Sequence, residues 1–567
     1  MANTQKESKA QRVERLKREK NPWEGLEEIR RFAREGFGAI PPEWLGTYFR
    51  WWGVYTQGDG AGVLGGQGGE GKALPYFMVR IRVTNGILNS AQMRTIADIT
   101  QRYARGTADL TVRQNIQLHW VSIEALPEVL EALGRVGLNT MGACGDVTRN
   151  ITGCPVAGVD ADEICDASPL AHEATQMLVG NTDFYNLPRK FKISITGCRV
   201  WCAYPEINDI GMTAMARTFR GQREVGFSLR VGGGLSAEPH LAARLNAFVR
   251  WNQALPVIKG IAELFRESSQ LREHRERARL KFLFLRHGWT ADDFQNELEK
   301  RIGFRLDAAE TEAVPDDVYR DHVGIHAQRQ PGYCYVGAAV LRGRISAEQM
   351  GAAAELADHF AGGELRTTNM QNLLIVNVPQ SQAAALAKEL DAIGLRVGGS
   401  VFWRGAVACS GTEFCKLAIT ETKSFSRWLV EELEERLPGF EQHLKLHVTG
   451  CPNSCGQHWI ADIGIEGKKL KVGDRMQDAY YFCLGGAVGL HQSIARPVGY
   501  RCLASEVPDA IERLLRRYML ERFANENLRQ FFARHSDEEL RTLLAGTVIE
   551  AVPRDLSPGR VPHGLEG

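Results

Sequence analysis

The sequence predicts an α+β protein built by tandem duplication, with two small repeated modules packed together and two larger α/β units. Internal matches and the alternation of strand-like with helix-like segments predict this fold class. The first block of matches needs no gap and pairs Gly86 with Gly343, Gln92 with Gln349, Met93 with Met350 and Gln114 with Gln371. A second block pairs Thr196 with Thr449, Cys198 with Cys451, Cys202 with Cys455 and Asp209 with Asp462.

Each small module is predicted to run as a strand, an amphipathic helix, a second strand and a second helix. Apolar periodicity and punctuating glycines place the strands at 77–83 and 118–122 in the first copy, and at 334–340 and 373–378 in the second. We expect five segments: an N-terminal arm at 1–66, the first small module at 67–140, the first larger unit at 141–325, the second small module at 326–397, and the second larger unit with the C-terminal tail at 398–567.

Length and composition indicate a folded protein of several domains. The chain has 567 residues, of which 44% are hydrophobic and 24% charged, as in ordinary globular proteins. Its formal charge of +1 gives no overall attraction to nucleic acid or an anionic membrane. No stretch is apolar enough for a membrane helix, and the charged N-terminus lacks the apolar core of a signal peptide. We therefore expect a cytoplasmic monomer that binds neither nucleic acid nor membrane.

The twelve cysteines are expected to be thiols or metal ligands, because a chain without a secretion signal stays in a reducing compartment. Cys409 and Cys415 are separated by five residues, and Cys451 and Cys455 by three. Structural zinc favours shorter spacings in both pairs, so the wider gap favours a four-iron cluster held by four thiolates. A zinc site on the same cysteines is the alternative.

The first half of the chain is not expected to hold such a cluster. The alignment pairs Cys198 with Cys451, Cys202 with Cys455, and Ala143-Cys144 with Ala408-Cys409. It puts Asn150 where Cys415 stands, so four thiolates cannot assemble there in the same way. We expect Cys198 and Cys202, and likewise Cys154, to be small buried hydrophobic residues.

These motifs resemble those of the sirohaem-containing sulfite and nitrite reductases of the ferredoxin-dependent type, from Trp51 to about Val548. Further motifs occur in family order: Phe-Met-Val-Arg-Ile-Arg, Thr-Val-Arg-Gln-Asn-Ile-Gln-Leu-His, Leu-Pro-Arg-Lys-Phe-Lys and Val-Gly-Gly-Gly-Leu-Ser. The resemblance is strongest to bacterial ferredoxin-sulfite reductases. It implies two ferredoxin-like half-modules packed together, and two larger units that enclose sirohaem and a [4Fe–4S] cluster. It also implies that Cys455 ligates both the cluster and the sirohaem iron.

The resemblance also assigns the substrate side of the haem. Family positions that hold the anion correspond to four cations: Arg80, Arg149, Lys190 and Lys192. Positioned cations suit an oxyanion whose oxygens are held, protonated and expelled as water. The lysine at 192 favours sulfite, because many nitrite-reducing members have asparagine there. Tyr55 and Cys144 are similar to a pair that certain bacterial sulfite-reducing members join covalently beside the haem.

Sirohaem carries many carboxylates, so its pocket needs hydrogen-bond donors. The family motif against the macrocycle corresponds to Arg113, Gln114, Asn115, Gln117 and His119. The axial ligand in the family is the cysteine, so a structural or carboxylate-contacting role is expected for His119.

The resemblance implies an assimilatory six-electron reduction of sulfite to sulfide. No Gly-x-Gly-x-x-Gly motif follows a strand, so electrons are expected from a separate carrier, which the resemblance identifies as ferredoxin. The basic stretch 272–281 is a candidate docking face for an acidic ferredoxin, with a solvated helix as the alternative. Reduction of nitrite to ammonia is the alternative reaction. A haem-free iron–sulfur electron carrier, or a zinc-stabilised binding protein, is the alternative of a different class.

Overall fold

The computed structural model describes residues 7–58, 73–311 and 320–546, and these residues form four β-sheets flanked by helices. The N-terminal arm contains α1 (Lys9–Glu19), α2 (Leu26–Glu35), α3 (Pro42–Gly46) and β1 (Val54–Gly58). The first small module contains β2 (Ala73–Ile81), β3 (Ile87–Asn89), α4 (Ser90–Tyr103), β4 (Thr107–Leu110), β5 (Ile116–Val121) and α5 (Leu126–Arg135).

The remaining elements follow in the same order of small and larger parts. The first larger unit contains α6 (Ser168–Leu178), β6 (Ile193–Thr196), β7 (Ile210–Phe219), β8 (Gln222–Val231), β9 (Ala243–Arg250), α7 (Trp251–Glu267), α8 (Phe282–His287) and α9 (Ala291–Ile302). The second small module contains β10 (Gly324–Ala327), β11 (Tyr333–Ala338), β12 (Arg344–Ser346), α10 (Ala347–Phe360), β13 (Glu364–Thr367), β14 (Leu373–Pro379) and α11 (Ala383–Ala392). The second larger unit contains α12 (Val401–Gly405), β15 (Ala406–Ala408), α13 (Gly411–Phe414), α14 (Lys423–Arg436), β16 (Leu446–Thr449), β17 (Ile463–Val472), β18 (Arg475–Leu484), β19 (Arg496–Leu503), α15 (Val507–Glu521), α16 (Leu528–Arg534) and α17 (Asp537–Ala545).

The repeated glutamines Gln92 and Gln349 explain where the first helix of each small module begins. Each side chain accepts a hydrogen bond of 3.0 Å from the backbone N–H of the capping residue, Asn89 or Ser346. Each capping side chain accepts one in return from the glutamine N–H, at 2.8 Å and 3.0 Å respectively. This reciprocal capping box satisfies two backbone donors that have no partner within the helix. The duplicated sequence thus produces a duplicated helix start.

The two small modules are interlocked by strand exchange. Their sheets have the orders β1-β2-β5-β4-β12 and β10-β11-β14-β13-β3. Each module therefore lends one short strand to the other: β12 pairs with β4, and β3 pairs with β13, both antiparallel. A single hydrophobic core runs through the N-terminal arm and both modules. This exchange confirms that the modules pack together.

Each larger unit has a sheet that starts with parallel strands and continues with antiparallel ones. The orders are β6-β7-β8-β9 and β15-β16-β17-β18-β19, with β6 and β7 parallel in the first, and β15, β16 and β17 parallel in the second. In the first unit, Thr148 and Thr152 form isolated parallel bridges to Phe191 and Ser194, so this segment takes the place of β15. Each unit has its own core.

These sheets confirm the predicted α+β class and its tandem arrangement. Within the described parts of the chain, no helix combines the length and apolar character needed to cross a membrane. The segment boundaries given above stay a prediction.

Candidate functional site

The four cysteines of the predicted cluster lie at one edge of the second larger unit. Cys409 follows β15 directly, and Cys415 follows α13. Cys451 and Cys455 lie in the connection between β16 and β17. The carboxyl ends of parallel strands meet at the same edge of a sheet, so this topology brings the two pairs together.

The thiols are close enough to act on one another electrostatically. Burial raises the pKa of Cys409, and raises that of Cys415 to about 12, and the charge of Cys455 adds to both shifts. Burial also raises the pKa of Cys451, and Cys455 and Cys409 raise it further. Such thiols ionise readily only beside a cation, which a bound iron cluster supplies. The donor set therefore fits a cluster of iron and sulfide.

Cys455 differs from the other three in its exposure. Its side chain is exposed, whereas Cys451 is buried, and Cys409 and Cys415 are half-buried. On the buried side, the backbone N–H of Gly450 donates to Cys409 Sγ at 3.2 Å, a type of bond that tunes cluster potentials. Of the four, Cys455 is thus the most open to a further ligand on its outer side.

Two of the predicted substrate-side cations, Arg80 and Lys190, lie within electrostatic range of Cys455. Burial lowers the pKa of Arg80, and it lowers that of Lys190 to about 7. Arg149 lowers both values further, while the charge of Cys455 opposes both shifts. Burial, followed by Arg113 and Lys190, also lowers the pKa of Lys192. The structure therefore brings Arg80, Arg149, Lys190 and Lys192 into one group, which we call the cation cluster.

Neutral acceptors orient two arginines of the cation cluster. Arg80 donates to Gln117 Oε1 from Nε (2.8 Å) and Nη2 (2.6 Å), and to Ala143 O from Nη1 (3.1 Å). Arg149 donates to Gly145 O at 2.9 Å. These bonds fix both guanidinium groups without neutralising their charge.

The buried positive charges of this site show whether it suits a macrocycle that carries many carboxylates. Arg113 also donates to neutral acceptors, Asn208 Oδ1 and Asn150 O, both at 2.7 Å. Burial and then Arg149 lower its pKa to about 9. Cations packed against one another in this way require anionic partners. Sirohaem carboxylates and an oxyanion would supply them, so Arg113 and the cation cluster fit that group.

The other predicted cofactor residues divide into two sets. Gln117 faces the cation cluster through Arg80 and donates to Ser410 Oγ at 3.3 Å. Gln114 and Asn115 instead bind backbone groups: Gln114 donates to Thr367 O at 3.2 Å, and Asn115 accepts from Val83 N at 3.3 Å.

His119 lies in a separate buried network. Its Nε2 is 2.9 Å from Asp109 Oδ2, and its ring stacks on Phe414 with 3.6 Å between centroids. Arg344 also donates to Asp109, at 2.7 Å. The geometry therefore gives His119 partners other than the cation cluster.

Tyr55 and Cys144 lie together at the border of the cation cluster. Tyr55 on β1 pairs with Met78 on β2, and its hydroxyl contacts the Cys144 thiol. The Arg80 guanidinium is 5.9 Å from the centre of the Tyr55 ring. The predicted pair is thus in contact next to a predicted substrate-side residue.

The prediction of a docking face at 272–281 is wrong, and so is the alternative of a solvated helix. The stretch forms short 3₁₀ turns, and four of its five cations are drawn inward, whereas Arg277 is exposed. Arg275 pairs with Asp146 at 2.7 Å, and Arg279 pairs with Asp209 at 2.8 Å. Both arginine side chains are less than a tenth exposed, because buried carboxylates draw them in.

Sequence reasoning missed Arg279 and Asp209 as members of this site. Asp209 also accepts a hydrogen bond from Lys192 N at 2.8 Å, and the charge of Arg279 lowers the pKa of Lys190 after burial. The repetition of Asp209 as Asp462 could have indicated this role, because an acidic residue that is repeated and buried needs a cationic partner.

Two models of known protein families match this chain, each over two segments. The family model described as nitrite and sulphite reductase 4Fe-4S domain matches residues 144–306 and 402–549. The model described as nitrite/sulfite reductase ferredoxin-like half domain matches residues 70–136 and 326–393.

Similar proteins carry both activities in their names. The assimilatory ferredoxin-dependent nitrite reductase of Haloferax mediterranei is 37% identical, over 89% of this chain and 88% of its own length. The ferredoxin sulfite reductase of Mycobacterium tuberculosis is 36% identical, over 93% and 95% respectively. The solved structure of the Mycobacterium tuberculosis NirA protein is 35% identical with a TM-score of 0.88, and the match covers 93% of this chain and 97% of that one. The chain therefore belongs to the ferredoxin-dependent sulfite and nitrite reductases, a family whose members use sirohaem together with a [4Fe–4S] cluster.

Proposed function

We propose that this chain is a cytoplasmic enzyme that reduces sulfite to sulfide with six electrons from ferredoxin. The observation that carries this proposal is the presence of Lys192 in the cation cluster, where its amine, protonated when an anion binds beside it, adds a donor to two arginines and a second lysine. Sulfite has three oxygens and a higher charge than nitrite, so an additional cationic donor favours it. The name of the Mycobacterium tuberculosis relative supports the same substrate.

The chain's own residues would bind and protonate the anion. Arg80 and Arg149 keep their full charge for substrate oxygens, because their present acceptors are neutral. Lys190, with a pKa of about 7, is a proton donor suited to neutral pH. Turning sulfite into sulfide consumes six electrons and six protons and releases three waters. The proton donors must therefore be reprotonated from solvent during each turnover. When bound, sirohaem and the cluster would pass the electrons from ferredoxin to the substrate.

Reduction of nitrite to ammonia is the second candidate, favoured by the name of the Haloferax mediterranei relative. Steady-state assays with both anions and one reduced ferredoxin decide between them. We expect a higher kcat/KM for sulfite. The reverse order would overturn sulfite as the preferred substrate while leaving the family assignment intact.

The proposed cofactor ligands are tested by absorption of the purified protein. With Cys409, Cys415, Cys451 and Cys455 around the cluster, and Cys455 shared with sirohaem, we expect isobacteriochlorin bands together with cluster absorption. Cluster absorption without macrocycle bands would instead indicate a haem-free electron carrier. A colourless protein reconstituted only by zinc on these cysteines would rule out both.

We also propose a thioether between the ring of Tyr55 and Sγ of Cys144, supported by the contact between their side chains. Forming this bond removes one hydrogen from each residue, and an oxidant such as dioxygen accepts the two electrons and two protons. The intact mass should be two hydrogens below the sequence mass, and Cys144→Ser should restore the full mass of that variant. A wild-type protein of full mass, with a free Tyr55 peptide after digestion, would exclude the link.

A further inference from the structure

A second group of thiols lies at the equivalent edge of the first larger unit. Cys198 and Cys202 occupy the connection after β6, as the second cysteine pair of the cluster does after β16. Their Sγ atoms are 3.2 Å apart, and Cys154 interacts with both thiols. The ligand atoms of Cys154, Cys202 and His322 all lie within 4.8 Å of one another. The expectation that these cysteines are only small hydrophobic residues does not account for this convergence.

Cys154, and not Cys144, is the structural counterpart of Cys409. Two repeated hydrogen bonds define the register: Gly153 N donates to Gln114 Oε1 at 3.2 Å, and Ala408 N donates to Gln371 Oε1 at 3.0 Å. The next residue is a cysteine in both copies. The alignment of Cys144 with Cys409 is therefore wrong, and three of the four cluster positions have a thiol in the first half.

His322 supplies a fourth donor, and its neighbours hold its ring and its backbone in place. Its Nδ1 is 3.3 Å from Tyr335 Oη, while its Nε2 is buried without a hydrogen-bond partner among the described residues. Its φ of +62° is unusual for a residue with a Cβ. Strand β11 presses on this backbone, since a Cβ on Gly337 would lie 1.8 Å from His322 O. One ring nitrogen near a neighbour's hydroxyl, and the other buried without a partner in a side chain close to two thiols, is the arrangement of a metal-ligating histidine.

We propose that Cys154, Cys198, Cys202 and His322 bind one zinc ion. Zinc prefers tetrahedral sulfur and nitrogen ligands, and its bond lengths separate neighbouring ligand atoms by about 3.5–3.8 Å. The ligand atoms of Cys154, Cys202 and His322 lie within 4.8 Å of one another, so a small inward movement would reach this spacing. Cys198 Sγ, 3.2 Å from Cys202 Sγ, would complete the tetrahedron after a rotation of its side chain. A four-iron cube is wider than a single ion and does not suit so tight a group.

The charge balance of this site is compatible with its surroundings. Binding would release three thiol protons to solvent and leave one net negative charge on the zinc, its three thiolates and the neutral imidazole. Arg320, which pairs with Asp160 at 2.7 Å, also interacts electrostatically with Cys202 and Cys154. His322 lies two residues before β10 of the second small module, whereas the thiols lie at the edge of the sheet of the first larger unit. The zinc would therefore tie the connection between the two halves to the first half.

Metal analysis of the holoenzyme, expressed with zinc in the medium, tests this proposal. We expect one zinc per chain, in addition to the iron of one cluster and one haem. Zinc-edge absorption should show three sulfurs at about 2.3 Å and one nitrogen at about 2.0–2.1 Å. Cys154→Ser and His322→Gln should lose the zinc and keep the iron and the haem bands. Cys165→Ser is the matched control, because Cys165 is in the same unit but outside the group, and it should keep both metals.

Three results would each overturn the zinc site. One is wild-type protein free of zinc, another is zinc that survives both ligand substitutions, and the third is a disulfide between Cys198 and Cys202 found by thiol counting. Persistence of the haem bands in the variants shows that they fold, and absence of those bands from wild type would contradict the proposed reductase independently of the zinc result.

Discussion

The two cysteine groups occupy equivalent places in a duplicated fold, yet they face different surroundings. Cys455 is exposed and lies beside Arg80 and Lys190. Its counterpart Cys202 is half-buried among other thiols and His322. The two connecting loops share their cysteine spacing and their left-handed positions, Trp201 with Ser454 and Tyr204 with Gln457, so much of the difference comes from what other segments bring to them. The repeated fold decides where thiols meet, and the neighbouring residues decide what the thiols can bind.

The largest expected effect is the difference in activity between substitutions of Cys455 and of its counterpart Cys202. Cys455→Ser should reduce activity by about a thousandfold or more and lose the macrocycle bands, because the shared ligand is gone. Cys202→Ser should keep those bands and most activity, since it lies in the other group. Absorption spectra and turnover of both variants provide the measurement. Equal losses in the two variants would show that the halves are not functionally distinct.

A second comparison uses the lysines that directly precede the equivalent strands β6 and β16. Lys192 N donates to Asp209 at 2.8 Å, and Lys445 N donates to Asp462 at 2.7 Å, so their backbones are matched. Lys192→Asn should lower kcat/KM for sulfite by about 10- to 100-fold, the value of a charge-assisted hydrogen bond, and lower that for nitrite less. Lys445→Asn should change neither value by more than about threefold, because Lys445 lies near the Tyr204 ring instead. Equal losses of both substrates in Lys192→Asn would contradict its role in selecting sulfite.

The pH profile tests whether Lys190 donates protons. Because its pKa is lowered to about 7, its ammonium is present below that pH and is lost as the pH rises. The carboxylates of bound sirohaem raise the pKa of Lys190, so kcat/KM should decrease with rising pH, with a midpoint at or above about 7. Nitrite is the substrate of choice, since it does not titrate in this range. Lys190→Arg keeps its charge throughout, so this limb should disappear; an unchanged limb in that variant would assign the titration to another group.

The sequence predicted those parts of the fold that a repeated residue determines through its near neighbours in the chain. The repeated Gln92 and Gln349 produce identical capping boxes and so identical helix starts. It did not predict pairings decided by distant segments. The cations of 272–281 were read as a surface because their partners, Asp146 and Asp209, are far away in sequence. Cys154 was missed for the same reason, since its register depends on a hydrogen bond to Gln114 and not on the spacing of cysteines.

The smallest expected effect concerns the two glutamines that join the halves. Gln114 donates to Thr367 O at 3.2 Å, and Gln371 donates to Leu110 O at 2.8 Å, so each crosses from one small module to the other. Gln114→Ala would leave the buried N–H of Gly153 unpaired, at a cost of about 1–3 kcal/mol. Amide hydrogen exchange at Gly153 should therefore accelerate by about 5- to 100-fold.

Gln371→Ala is the matched variant, and it should accelerate exchange at Ala408, whose N–H loses its acceptor. The two glutamines have different partners, so the double variant should show both local changes with little coupling between them. Acceleration at both amides in either single variant would instead mean that the exchanged strands open together. The hydrogen bonds of the two glutamines would then open as one cooperative unit. The different surroundings of the two cysteine groups would have to form after that unit has folded.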